Sequence, residues 1–167
     1  MHLEYSINKP ANLKGYALHR MVAGLTKGGA AIFSDEGDTL LLRTDRKLKA
    51  DSRAVKIPEV GSLSAFGLRA CVSKKRKGRH LYYPTNNWRA RHDWLSQRGA
   101  NNGFEILTVH SWSRITTIDD GVKKFTLDQT DFTGILRVVD KKLFKYGLIN
   151  GIGSTAKTFG FGMLIIE

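Results

Sequence analysis

Tyr16 and His19 are the residues of this 167-residue chain whose types and spacing best suit proton-transfer chemistry. An offset of three places both side chains on one face of a helix. Histidine, titrating near ~6.5 when unperturbed, can take or give a proton at neutral pH. Tyrosine, with a pKa of about 10, is a poor base at pH 7. Its hydroxyl can still orient a reacting group or hydrogen-bond to developing negative charge. A His and a Tyr on a helix are by themselves more often structural, so the pair alone does not establish this chemistry.

The second chemical signal is positive charge. The chain carries 27 Lys and Arg against 15 Asp and Glu, a net +12. Such an excess favours polyanions, because cations held against phosphates release condensed counterions. Nine basic residues fall between Arg69 and Arg98, and five of them, Lys74, Lys75, Arg76, Lys77 and Arg79, bracket Gly78. That run predicts a loop or hairpin tip, strained by like charge until an anion neutralises it. An ordinary solvated loop is the bland alternative, and the global charge favours phosphate contact. Tyr82, Tyr83 and Trp88 follow, where they could stack on unpaired bases or belong to a core.

The third signal is the segment from Gly151 to Gly162, rich in glycine and holding Ser154 and Lys157. Successive free N–H groups in such a segment make an anion-binding nest, and glycines equally permit a tight helix-to-strand crossing. It matches neither a phosphate-binding P-loop nor a dinucleotide fingerprint. His2, His80, His92 and His110 read as structural, and no pair of them has metal-ligand spacing, so no metal or cofactor is expected. The single Cys71 excludes an internal disulfide and a cysteine-based zinc site, and reads as an inert half-buried thiol.

These residues need elements to hold them. Leu3–Ile7 alternates as a strand. Leu18, Met21, Val22 and Leu25 recur at helical spacing between Gly15 and Leu25, with Gly28 and Gly29 as the stop. Strands 30–33 and 39–43 flank the hairpin turn Asp35 to Asp38. A weak basic helix or loop (45–56) and a strand over 63–72 follow. Beyond them come a strand at 80–83, a helix over 88–98 and strands at 104–114, 123–127 and 132–138. A helix over 141–148 and a last strand over 160–166 complete the chain. The order predicts an α+β fold of two tandem ferredoxin-like (RRM-like) halves with antiparallel sheets, residues 1–75 and 76–167.

Taken together, Tyr16 to Arg20 on the first helix, Leu68-Arg69-Ala70 before the basic loop, and the Gly151–Leu164 segment resemble a known family. It is that of the CRISPR-associated endoribonucleases that cut precursor CRISPR RNA, most closely the CasE type of Cascade complexes. Phe132 to Val138 is similar to the family's strand before the last helix. The resemblance spans nearly the whole chain and implies the same tandem fold. The middle of the chain is shorter than is usual for the type. Some relatives place a lysine five residues after the histidine, where this chain has Gly24, with Lys27 the nearest substitute.

The resemblance implies His19 and Tyr16 as catalytic residues. The 2′-oxygen would attack the adjacent phosphate, leaving a 2′,3′-cyclic phosphate and a free 5′-hydroxyl, without a metal. Arg20, with Lys27 or Lys157, would stabilise the added negative charge. Arg69, Lys74, Lys75, Arg76, Lys77, Arg79 and Ser154 would complete the RNA contacts. The implied partners are a CRISPR repeat stem-loop and other Cascade-type subunits. A non-catalytic RRM-like or ribosomal RNA-binding module, or a repeat binder that has lost cleavage, are the alternatives. No run of about 18 apolar residues exists to span a bilayer, and the N-terminus shows no signal pattern, so an intracellular, cytoplasmic protein is expected.

Overall fold

The computed structural model describes residues 1–167. Its first unit runs β1 (Leu3–Asn8), α1 (Gly15–Thr26), β2 (Ala31–Asp35), β3 (Thr39–Thr44) and β4 (Ser52–Ala54). The strands form one antiparallel sheet in the order β2-β3-β1-β4. Tyr5, Phe33, Leu40 and Leu42 bury one sheet face against Leu18 and Val22 of α1. The helix stops where Lys27 enters the left-handed region at φ 51° and the Gly28 N–H bonds back to Ala23 O at 2.9 Å.

The second unit contains β5 (Leu63–Ala70), α2 (Trp88–Asn101), β8 (Phe104–Asp119), β9 (Lys124–Val138), α3 (Lys141–Asn150) and β10 (Leu164–Ile166). A separate two-stranded hairpin, β6 (Lys74–Arg76) with β7 (Arg79–Leu81), projects between β5 and α2. The sheet order is β10-β5-β9-β8. Numbered within each unit, the two orders are the same, so two α+β halves of ferredoxin-like topology follow one another. The second half carries two helices and the larger core, built around Phe66, Leu68, Phe104, Phe132, Leu136, Phe144 and Leu148.

Several sequence expectations are corrected here. Residues 45–51 form no helix, and the fourth strand of the first sheet is the short β4. The free edge of β1 is taken by β4, with Leu3 opposite Ala54, so the strand over 63–70 cannot join that sheet. It pairs instead with β9 and β10, and its alternate residues Ser64, Phe66, Leu68 and Ala70 are buried in the second unit. The units therefore divide between β4 and β5, well before residue 75. The strand expected over 80–83 is the return arm of the basic hairpin rather than a sheet member. The two segments expected at 123–127 and 132–138 are one 15-residue strand, β9. A three-residue 3-10 turn (Lys157–Phe159) lies within the glycine-rich segment, and only residues 164–166 form the last strand.

A buried cation joins the halves. Register places Glu4 opposite both Arg43 and Arg53, and it accepts from Arg43 Nε at 3.2 Å and from the Arg53 guanidinium. The Arg43 guanidinium, 2% exposed, donates onward to Leu148 O at 2.5 Å and Leu164 O at 3.2 Å in the second unit. Burial alone would raise the Glu4 carboxyl, but the hydrogen bonds and charge of Arg43 and Arg53 hold it below the usual carboxylate range. Arg91 and Asp128 form a second, fully buried pair that ties α2 to β9.

Candidate active site

Three segments far apart in sequence meet where α1 packs against the glycine loop. The Tyr16 ring meets Phe159 edge-on, with centroids 5.1 Å apart, and Phe125 of β9 at 6.4 Å. These rings lie against a small apolar cluster of Cys71, Ile118, Leu127 and Phe161. The body of Tyr16 is thus fixed by packing, while its hydroxyl makes no hydrogen bond within the protein. His19, one helical turn on, is half-buried, and its ring nitrogens have no partner in the protein either. A tyrosine hydroxyl and an imidazole on one helix face, both with unengaged polar atoms, are free to serve a ligand.

The glycine loop is a clamp between the two halves. The Gly162 N–H donates to Arg69 O, and the Ile152 N–H donates to Gly162 O, both at 2.7 Å. Gly160 (φ 88°) lies against the Phe33 ring of the first unit, where a Cβ would come within 2.9 Å of it. Gly151 lies against Ile32 in the same way. The backbone N–H groups of Ser154, Thr155 and Ala156 have no acceptor in the protein.

The cations expected at the site divide into two groups. Arg20, next to His19, is exposed. Lys27 follows His19 by eight residues, roughly 12 Å along the helix axis at 1.5 Å per residue, so it does not share His19's immediate surroundings. Lys157 Nζ donates to Asn150 O at 2.8 Å and so satisfies a carbonyl at the C-terminus of α3. Burial first, then the charge of Arg98, holds its ammonium below the usual lysine range. Arg69 is likewise committed, bonding Asp131 at 2.8 Å and Asp35 O at 2.6 Å across the two halves. For Lys157 and Arg69 the structure shows a structural engagement in place of a free charge. A cation already bound to protein acceptors is a weaker phosphate ligand than a free one.

The hairpin cations are placed differently. Eight of the 27 Lys and Arg side chains are in ion pairs, and none of Lys74, Lys75, Arg76, Lys77 and Arg79 is among them. All five are exposed. Ser154 is exposed on the glycine loop facing the hairpin, where it lines one cleft with Lys75. Of the downstream aromatics, Trp94 is core and stacks on Phe132 at 6.2 Å, while Trp88 is 55% exposed beneath Arg89.

Two features were missed by sequence reading. Phe125 and Phe159 position Tyr16 from more than 100 residues away, and no local pattern signals that contact. Arg98 lies over the Trp94 ring at 5.3 Å. Its offset of four from Trp94 on α2 is the one signal that could have marked it. Cys71 is buried, and its thiol is pushed up to about 11 by burial.

The family model described as CRISPR associated protein matches residues 58–167. The fold is similar to that of Thermus thermophilus Cse3 bound to an RNA representing a pre-cleavage complex. There the TM-score is 0.83 at 18% identity, over 99% of this chain and 98% of that one. It is also similar to the CRISPR-associated protein Cas6e from Escherichia coli K-12, with a TM-score of 0.77 at 23% identity over 99% and 98%. A chain of a CRISPR RNA-guided surveillance complex matches with a TM-score of 0.72 at 20% identity, over 98% of each chain. No curated protein sequence matches the chain.

Proposed function

This chain belongs to the CRISPR-associated protein family, and from that premise we propose that it is an endoribonuclease that cuts precursor CRISPR RNA at the 3′ base of the repeat stem-loop. The observation that carries the reading is the junction of α1 with the glycine loop. It fixes Tyr16 between Phe125 and Phe159 and leaves the Tyr16 hydroxyl and the His19 imidazole free, in a fold shared with RNA-bound Cse3. His19 moves the proton, as base to the 2′-hydroxyl or as acid to the departing 5′-oxygen. Tyr16 orients the 2′-hydroxyl or hydrogen-bonds to the crowded phosphate. The 2′-oxygen bonds to phosphorus as the P–O5′ bond breaks, giving a 2′,3′-cyclic phosphate and a 5′-hydroxyl. These proton transfers call for no metal. Arg20 is the exposed cation beside the pair, and the hairpin supplies charge for the duplex backbone, which proteins read by shape and phosphates. The protein stays on its product and joins a larger effector assembly, a reading supported by the similar fold of a chain in a CRISPR RNA-guided surveillance complex.

The test is cleavage of the repeat hairpin RNA in EDTA with mapping of both ends. Cyclic-phosphate ends are expected. His19→Ala lowers the single-turnover rate by about 10²–10⁴-fold with affinity kept. Tyr16→Phe slows cleavage without lowering Tm, since the ring contacts remain. An absence of preference for the repeat hairpin over random RNA overturns the reading. A repeat binder without cleavage is the second reading. It is favoured by Gly24 and by the placement of Lys27 and Lys157, and binding without cutting by the wild type would establish it.

A further inference from the structure

A separate cleft of about 110 Å³ opens where the basic hairpin, the last turns of α2 and the glycine loop converge. Its polar lining is Ser73, Lys75, His80, Arg98, Ser154 and Thr155, over Cys71 and Trp94, and no carboxylate lines it. The Arg98 guanidinium is held over the Trp94 ring, and the Ser73 hydroxyl meets His80 Nδ1 at 3.1 Å. Neither Lys75 nor Arg98 is in an ion pair. Two of the unpartnered loop N–H groups, on Ser154 and Thr155, belong to residues of the same lining. Three discontinuous segments thus bring together cations and hydrogen-bond donors that repel until an anion enters. The volume is enough for one tetrahedral oxyanion. Cys71, in the cleft wall, belongs to the cluster that Tyr16 packs against, so the cleft neighbours Tyr16 without including it.

We propose that this cleft binds one backbone phosphate of the RNA substrate, other than the phosphate cut at His19. Arg98 and Lys75 supply the charge, and the Ser73, Ser154 and Thr155 hydroxyls supply directed donors. The assignment rests on the RNA-cleaving reading above. Occupancy fixes the hairpin against the glycine loop and sets the RNA in register with Tyr16 and His19.

The test measures affinity of the full chain for repeat hairpin RNA across a KCl series, with Arg98→Gln and Arg98→Lys. Arg98→Gln is expected to weaken binding about tenfold and to lower the slope of log K against log salt by about 0.9, one phosphate contact. Arg98→Lys keeps the slope. Neutral methylphosphonate linkages placed singly along the RNA then locate the phosphate. At one non-scissile linkage the wild type loses about tenfold while Arg98→Gln loses nothing further. If Arg98→Gln fails to fold, Lys75→Gln on the exposed hairpin carries the same test. An unchanged slope in a folded variant, or losses that multiply at every linkage, overturns the assignment. Thermal stabilisation by inorganic phosphate that Arg98→Gln abolishes, with RNA binding unaltered, also overturns it in favour of a free anion. In each of these cases wild-type cleavage of the hairpin leaves the nuclease reading standing. A wild type that ignores the hairpin defeats both.

Discussion

Gly162→Ala is a severe perturbation of the clamp that joins the two halves, and its cost can be worked from geometry. Gly162 has φ 91°, a region that costs an L-residue about 1–2 kcal/mol. An added Cβ would also stand 2.7 Å from Ile152 O, a backbone atom whose own N–H is bonded to Gly162 O. That neighbour cannot swing away as a side chain would, and overpacking of this kind costs about 1–3 kcal/mol. Gly121, in the β8–β9 turn, has nearly the same φ, 85°, and nothing within 4 Å of an added Cβ. Gly121→Ala therefore isolates the dihedral cost. For a chain of this size each kcal/mol lowers Tm by roughly 2–4 °C. Gly121→Ala should lose about 4 °C and Gly162→Ala about 10 °C in parallel thermal melts. Because the same loop carries Phe159 against Tyr16, Gly162→Ala should also slow RNA cleavage at temperatures where it remains folded. Equal Tm losses in the two variants would refute the argument from close approach.

Two further outcomes follow from the buried groups. Glu4 is held below the usual carboxylate range by Arg43 and Arg53, so its contribution is full above its unfolded pKa and is lost as pH falls through the depressed native value. The stability gap between wild type and Glu4→Gln should be widest above about pH 5 and close as pH falls further, read by urea titration at each pH; a gap independent of pH would contradict it. Buried, and with its thiol pushed up to about 11, Cys71 should resist alkylation at pH 8 in the folded protein and react at once in denaturant. Equal rates in the two states would show the burial to be wrong.

The sequence by itself determined the local elements and the chemistry on offer. Leu18, Met21, Val22 and Leu25 at helical spacing, with glycines after them, specify α1, and with it the common face of Tyr16 and His19. The five cations around Gly78 specify an exposed hairpin, because like charges cannot be packed inside. Glycines in the last segment mark a backbone under close approach. Pairing between distant strands was not legible in the same way. By its order in the chain, the strand over 63–70 reads as the last strand of the first half. Only the occupied edge of β1 and the burial of Phe66 and Leu68 in the second core decide where it goes. The cations show the same limit. Arg69, Lys157 and Arg98 are alike in sequence, yet one joins the two halves, one satisfies a helix end and one borders an anion-sized cleft. A side chain's charge is a property of its type, but whether that charge is spent on a neighbour depends on which acceptors the folded chain brings within about 3 Å, and that is decided by tertiary structure alone.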